Sequence, residues 1–511
     1  MDLIFKEILK ARVYDVSNRT PLEVAPKLSQ LLNNEIFLKR EDLQPIFSFK
    51  IRGAYNKIAH LSPEEKARGV LCASAGNHGQ GVAYSAKHLG IEAKVVMPKT
   101  TPQIKVDAVI RHGATPILEG DSYSDAYEFA RQESERLGCV MIHPFDDPLV
   151  IAGQGTIGKE IFEDQPDIDA IFIPIGGGGL IAGVANYLKV MNPHIRIVGV
   201  EPKDSNAMLQ SVKASKIVNL SNVGIFADGV AVKRVGDHTF HEVQKHVDDI
   251  ITVETDEICS AIQDIYEETR CIMEPAGALA LAGLKQLVQT EKLSGQRLVA
   301  INSGANMNFQ RLQFVAERAL TGAKKEALFA IKLHEKPGTL KTLCHEILGH
   351  KGITEFNYRK GGQDEAFIFV GVAVSNQEDH AKFCSGLKEA GFWFEDLTHN
   401  ELSKVHIRHM VGGRAHHIDH EKLISFQFPE RPNALSEFLS LLCGRWNISL
   451  FHYRSHGSDF GKVLMGFEVE EGQESEFMKF VDSTGFPYHD ESTNPAYQLF
   501  LAKVPQPSSC S

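Results

Sequence analysis

The sequence predicts an α/β protein built on a largely parallel sheet, followed by a small α+β module present twice. Three observations carry this. From Met1 to about Leu320, short β-branched runs alternate with longer helical ones in the recurring order strand, loop, helix. Composition then shifts at Leu320-Thr321-Gly322-Ala323-Lys324-Lys325, a small and basic stretch suited to a linker. Beyond it, an offset of 95 relates Pro337 to Pro432, Ile353 to Ile448 and Gly371 to Gly466.

In the first part, Gly69 to Ala73 reads as a buried strand ending at Ser74-Ala75-Gly76-Asn77-His78, with a helix from Gly79 to Leu89. Strands follow at Ala93–Met97, Thr115–Leu118 and Val140–His143, with helices at Gln103–His112, Ser122–Leu137 and Asp147–Glu163 between and after them. Ala170 to Ile175 is a strand that runs into four glycines, and Leu180 to Met191 is helical. Ile195–Val200, Ile250–Val253 and Leu298–Ile301 are further strands; Thr255–Arg270 and Pro275–Leu287 are helices. Such an order places ligand loops at the C-terminal ends of parallel strands.

In the second part, Glu335-Lys336-Pro337-Gly338-Thr339-Leu340 returns as Glu430-Arg431-Pro432-Asn433-Ala434-Leu435. Ile353 to Arg359 returns as Ile448 to Arg454, and by Gly391-Phe392 against Gly485-Phe486 the offset has slipped by one residue. Each unit reads strand, Pro-turn, helix, strand, strand, helix, strand. Between the units lie His399, His406, His409, His416, His417 and His420. Neutral imidazoles ligate metals, but no cysteine or carboxylate accompanies them at a ligand spacing, so a polar linker is expected and no metal.

Composition excludes several classes. A net charge of −11 argues against nucleic acid or an anionic membrane as partner. No apolar run approaches the roughly 18–20 residues that span a bilayer, and Met1 to Val13 has neither signal-peptide order nor the Arg/Ser-rich look of a transit peptide. The 8 cysteines are scattered with no Cys-x-x-Cys pair, which fits a reducing compartment, read as the cytoplasm.

Chemistry concentrates in five places. Lys50 follows Phe47 and Phe49 and precedes an apolar residue and a small-residue turn. An amine held against apolar side chains loses hydration, its pKa falls, and the neutral form is a nucleophile for an aldehyde such as pyridoxal phosphate. Gly176-Gly177-Gly178-Gly179, between strand and helix, lets backbone N–H groups converge on an anion at a helix N-terminus. It lacks the nucleotide P-loop Lys-Ser/Thr and the Gly-x-Gly-x-x-Gly spacing. Ser74 to Gly81 presents small residues at another helix start, suited to a carboxylate or simply to capping, and Asn77 offers an amide. His78 is read as a positioning or structural residue. Ser303-Gly304-Ala305-Asn306 offers a hydroxyl to a ring nitrogen, and Glu274-Pro275-Ala276-Gly277 either completes a pocket or starts a helix with an acid.

With Lys50, the tetraglycine, the Ser74–Gly81 loop and the Ser303–Asn306 turn together, residues 5–320 resemble the fold-type II pyridoxal-phosphate enzymes, the tryptophan-synthase-β superfamily. Ser48 to Ala54 and Ser74 to Gly81 are similar to threonine/serine dehydratases, and the duplicated tail resembles the paired ACT-like regulatory domains of the biosynthetic threonine dehydratases. The resemblance implies a pyridoxal-phosphate catalytic domain at 1–320, a linker at 321–326, ACT-like domains at 327–398 and 421–492 separated by a linker at 399–420, and a C-terminal tail at 493–511. It implies Lys50 as the Schiff-base lysine, Asn77 beside the cofactor 3′-oxygen, Gly176, Gly177, Gly178, Gly179 and Leu180 on the phosphate, and Ser303 at the pyridine nitrogen. Ser74, Ala75, Gly76, Asn77 and His78 would hold the substrate carboxylate.

The implied reaction is dehydration and deamination of L-threonine to 2-oxobutanoate and ammonia, the first step of isoleucine biosynthesis. Lys50 serves as base and the cofactor phosphate as proton donor to the leaving hydroxide; L-serine is a second substrate. Isoleucine as inhibitor, valine as its antagonist and a homotetramer come with the resemblance. Phe356/Tyr358 and Phe451/Tyr453, which recur in the repeat, are the expected effector positions, although alternating strand residues facing a core fit them equally well. Two rivals stay open: a lyase or racemase acting on serine, separable only by relative turnover, and a non-catalytic amino-acid sensor, which would have lost the lysine.

Overall fold

The computed structural model describes residues 3–334, 343, 347, 351, 353–358, 365–409, 420–429, 446–454 and 460–502. The chain divides into two compact units, one running to Ala319 and the other beginning at Leu320.

In the first unit the strands are β1 (Leu22–Val24), β2 (Glu35–Arg40), β3 (Val70–Ala73), β4 (Ala93–Met97), β5 (Thr115–Leu118), β6 (Val140–Met141), β7 (Ala170–Pro174), β8 (Arg196–Pro202), β9 (Asp249–Val253) and β10 (Arg297–Asn302). They form two sheets where one was expected: a six-stranded sheet in the order β1-β2-β10-β7-β8-β9 and a four-stranded one in the order β5-β4-β3-β6. Apart from the antiparallel β1 edge, every pair is parallel. Hydrophobic pattern marks a strand but not its neighbours, and the chain leaves the first sheet after β2 and returns at β7.

Burial explains the parallel runs. Ile171 and Ile173 join one core and Phe172 the other, so both faces of the large sheet are covered. The loops after β3, β7 and β10 leave from strand C-termini, and each leads into a helix or turn that carries one of the sequence motifs.

Lys50 does not precede a small-residue turn. It opens the helix Lys50–Ala59, with Gly53 and Ala54 in its interior. Gly53 is there because of a close crossing with the helix Pro148–Asp164: a Cβ at Gly53 would lie 2.3 Å from Gln154 Nε2, and one at Gly153 would lie 2.7 Å from the Arg52 carbonyl oxygen. Helices at Ala207–Ala214, Asp237–His246 and Arg311–Gly322 were not legible either.

The second unit contains β11 (Glu326–His334), β12 (Ile353–Tyr358), β13 (Glu365–Ala373), β14 (Phe394–Asp396), β15 (Glu421–Pro429), β16 (Asn447–Arg454), β17 (Phe460–Glu468) and β18 (Tyr488–Asp490). Two antiparallel sheets result, β12-β13-β11-β14 and β16-β17-β15-β18. The repeat survives in backbone detail. Gly371 opposes Leu328 and Glu355; Gly466 opposes Leu423 and Leu450. Each sheet carries a register shift at the same place, Ile353/Glu355 and Ile448/Leu450. The one-residue slip falls before the last strand, where Gly391 (φ 78°) and Gly485 (φ 71°) both take the left-handed conformation.

Ala327, Phe329 and Ile331 enter the core beneath the helix Gln377–Glu389, while Leu328 and Ala330 face the other way into a second core. That second core also holds Leu423 and Leu464 of the other module. The segment 399–420, expected as a polar linker, holds a short helix Glu401–Val405 whose Leu402 and nearby Ile407 also enter this shared core, with His406 buried; His399, His409 and His420 are exposed. The expected tail from 493 likewise contains a helix, Pro495–Phe500, with Ala496 and Tyr497 buried in the same core. The expected linker 321–326 shrinks to residues 323–325 between a helix and β11. The paired Pro-turns beginning at Glu335 and Glu430, and His416 and His417, lie outside the described residues. Phe356 and Tyr358 sit on β12 opposite Val370 and Ile368, and Phe451 and Tyr453 on β16 opposite Met465 and Val463; their side chains are likewise outside what is described.

Candidate active site

Three loop motifs and Lys50 meet in one cleft of the first unit, lined by Lys50, Asn77, the four glycines, Leu180 and Ser303. Ser48 bridges Gly304, and the Phe49 amide donates to the Ser303 carbonyl, so the turn after β10 is fastened to the residues just before Lys50. Phe49 packs beneath the amine, its ring centroid 5.3 Å from Lys50 Nζ. Phe47 does not contribute: it is 57% exposed and sits at φ 55°. Lys50 Nζ donates to the Pro144 carbonyl at 3.1 Å. Burial among protein atoms pulls its pKa down to about 8, against a smaller upward pull from Glu274.

Behind Lys50 the same helix is held by a buried charge network. Arg52, with no exposed surface, donates to both oxygens of Glu41 at 2.8 Å and to Glu160 at 2.6 and 3.0 Å. Lys39 donates to Glu160 and to the Thr20 carbonyl, each at 2.6 Å. Two cations and two carboxylates therefore close a neutral cluster, which is how four charges remain in a dry interior.

The tetraglycine is required by packing. A Cβ at Gly177 would lie 2.2 Å from the Phe145 ring, and Gly178 takes φ 98°. The Gly177 carbonyl is occupied by Thr239 Oγ1 at 2.6 Å. The amides from Gly176 to Leu180 stand at the head of the helix Gly179–Met191, where first-turn N–H groups have no intrahelical acceptor. Ser74 to His78 make a second such helix start; the Gly76 amide is turned back onto Ser74 Oγ at 3.1 Å.

His78 is buried, and its Nε2 lies 2.9 Å from the Ile142 carbonyl. Burial, helped by Lys50, lowers its pKa to about 3. The ring is therefore neutral and fixed. Ser303 Oγ donates to the Ala276 carbonyl at 3.2 Å.

Two residues outside the expected site organise Asn77. Its Nδ2 donates to Glu274 Oε1 at 2.5 Å, and its Oδ1 accepts from Asn306 Nδ2 at 2.7 Å. Both stand in stretches that carry sequence motifs, but only proximity reveals the chain Asn306–Asn77–Glu274. Burial and then the charge of Asp228 raise Glu274 to about 7. For Asp228 burial acts upward, yet Lys105 and Arg311 outweigh it and hold the carboxyl well below the usual range. Phe145 and Pro144 had no motif to announce them.

A desolvated primary amine, a glycine turn that excludes side chains beside free amides, a hydroxyl and an oriented amide make up the donor set of this cleft. That set fits pyridoxal phosphate, which carries an aldehyde, a phosphate and a polar ring.

Comparison with known proteins agrees. A family model described as pyridoxal-phosphate dependent enzyme matches residues 13–304, and one described as the C-terminal regulatory domain of threonine dehydratase matches twice, at 317–407 and 412–501. The chain is 52% identical to the biosynthetic L-threonine dehydratase of Burkholderia multivorans, over 97% of this chain and 99% of the relative. It is 46% identical to that of Escherichia coli, over 97% and 96% respectively. Among solved structures, the processed form of threonine deaminase isoform 2 from Solanum lycopersicum superposes with a TM-score of 0.61 at 49% identity, covering 62% of this chain and 92% of that one. Maize serine racemase gives 0.57 at 35% identity, covering 63% and 98%.

Proposed function

The chain belongs to the biosynthetic threonine dehydratases, pyridoxal-phosphate-dependent lyases with C-terminal regulatory domains, and we propose that Lys50 is the residue through which it holds its cofactor and removes the substrate's α-proton. The observation that carries this is the placement of a desolvated amine, with its pKa down at about 8, in the same cleft as the glycine turn.

Pyridoxal phosphate, when bound, gives the electron pair left at the substrate's α-carbon a ring in which to spread. The chain's own groups do the rest. The amides of Gly176 to Leu180 hold the phosphate. Asn77, pinned between Asn306 and Glu274, presents its amide edge to the ring oxygen. Ser303 offers the ring nitrogen a neutral hydroxyl and so does not stabilise a proton there, which favours elimination over transamination. The loop from Ser74 to His78 holds the substrate carboxylate through amides other than that of Ser74, which donates to the Val96 carbonyl. Lys50 Nζ, unprotonated and desolvated once free, accepts the α-proton. The neutral His78 keeps its loop in place without competing for that proton.

L-threonine is the substrate and L-serine a second one, and the neighbouring fold of serine racemase supports the latter. The regulatory role of the tail rests on the doubly matched regulatory domain. Isoleucine is its inhibitor and valine its antagonist, with Phe356, Tyr358, Phe451 and Tyr453 as the effector positions in a homotetramer. Domain limits near 1–320, 327–398 and 421–492 follow from the repeat, and the scattered cysteines support a reducing compartment, the cytoplasm. Among the described residues, no helix is long and apolar enough to cross a membrane.

Lys50→Ala tests the central assignment. It should abolish 2-oxobutanoate formation and the cofactor's visible absorbance, while far-UV circular dichroism and isoleucine binding stay as in the parent. Retained turnover would overturn the assignment.

A further inference from the structure

The first regulatory module contains a cluster of side chains that the dehydration chemistry does not use. His380 and Cys384 stand four residues apart on the helix Gln377–Glu389, so both project from one face. Asp396 ends the edge strand β14, where it pairs with Phe329, whose ring lies under that helix. One ligand atom from each of the three residues lies within 4.8 Å of the others. The structure assigns this imidazole, thiol and carboxylate to a divalent cation of the zinc class, held by three protein ligands in the regulatory tail.

Four features support it. His380 Nε2 stands 2.9 Å from Asp396 Oδ2, at ion-pair distance but without the alignment of a hydrogen bond. Its ring is fixed by stacking on Phe329, with centroids 5.6 Å apart and planes 19° apart, so the nitrogen is aimed and not free to swing. Cys384 is a free thiol, half-buried beside it.

The fourth feature comes from the repeat. Phe383 and Leu387 face the first core as Phe477 and Val481 face the second, which aligns His380, Cys384 and Asp396 with Glu474, Met478 and Asp490. The second module folds the same way without the imidazole and the thiol, so the fold does not need them.

Zinc bonds of about 2.0–2.3 Å to nitrogen, oxygen and sulfur place tetrahedral ligands about 3.3–3.8 Å apart. Closing the present cluster therefore takes side-chain movements of about 1 Å. Binding converts Cys384 from thiol to thiolate and releases its proton to solvent, with no change of oxidation state. A mixed nitrogen, sulfur and oxygen set suits zinc above magnesium or calcium, which take oxygen ligands. The fourth position is open to water, and the bound ion would tie the helix to the edge strand.

The test uses full-length holoenzyme stripped of metal by a chelator and titrated with zinc against a chromophoric competitor. One zinc per chain is expected. Cys384→Ser and Asp396→Asn should each weaken it by about tenfold or more, while a His416→Ala/His417→Ala variant binds as the parent does. Zinc should also slow alkylation of Cys384 by iodoacetamide, read by mass spectrometry, in protein that still turns over threonine. No zinc bound at micromolar concentration, or undiminished binding in both ligand variants together with unprotected Cys384, would overturn the assignment.

Discussion

Lys50 and Arg52 lie two residues apart on one helix, Arg52 fully buried and Lys50 half-buried where it lines the cleft. Their fates are opposite. Arg52 faces Glu41 and Glu160, and although burial alone would lower its pKa, the two carboxylates push it well above its ordinary value. Lys50 faces a phenyl ring and a carbonyl, and burial wins, bringing it to about 8. The helix thus separates a structural charge from a reactive amine by a short turn of backbone. Pairing, not burial, decides which one the protein can use as a base.

Erasing the difference at the reactive position has the largest effect. Lys50→Arg installs a cation that does not deprotonate, and dehydration of threonine should fall by about a thousandfold or more in steady-state assays. Erasing it at the structural position costs stability. Arg52→Met leaves Glu41 and Glu160 facing each other around a single Lys39, and urea unfolding should show a loss of about 3–5 kcal/mol.

The lysine's lowered pKa sharpens the contrast through pH. In cofactor-free protein the folded chain releases the Lys50 proton near pH 8, while the unfolded chain keeps it to about 10.4. Between those values the unfolded state binds more protons, so stability rises with pH, and below pH 8 this contribution is flat. Lys50→Met should remove that rise from the unfolding midpoint, whereas Arg52, held well above its ordinary value, keeps its proton throughout this window.

The smallest effect concerns Glu274, raised to about 7. Ionised, it accepts the Asn77 amide; as pH falls through 7 that acceptance weakens and kcat/KM should decline. Glu274→Gln keeps an acceptor at every pH and should flatten this acid limb, with a change of a few-fold at the plateau. An unaltered limb would show that Glu274 does not act through Asn77.

Much of this was legible in the sequence because it is local. The strand-to-glycine junction at 170–179, the loop at 74–78 and the turn at 303–306 carry their chemistry in consecutive residues. The repeat was legible for the same reason, down to its one-residue slip. What was hidden is pairwise and distant: the split into two sheets, the reach of Glu274 and Asn306 to Asn77, and Phe145 filling the space beside Gly177. Gly53-Ala54 misled because a glycine tolerated for a helix crossing looks the same in sequence as one placed for a turn. The helices at Glu401–Val405 and Pro495–Phe500 were missed because a short segment acquires order from the core it covers, and that core is assembled from both modules.

The shared core has a thermodynamic consequence. Leu328 and Leu423 come from different copies of the duplicated unit but bury against the same set of side chains, so neither copy can melt without uncovering apolar surface on its twin. The regulatory half should lose its structure in one cooperative step, and a small molecule that tightens one copy should raise the melting point of both.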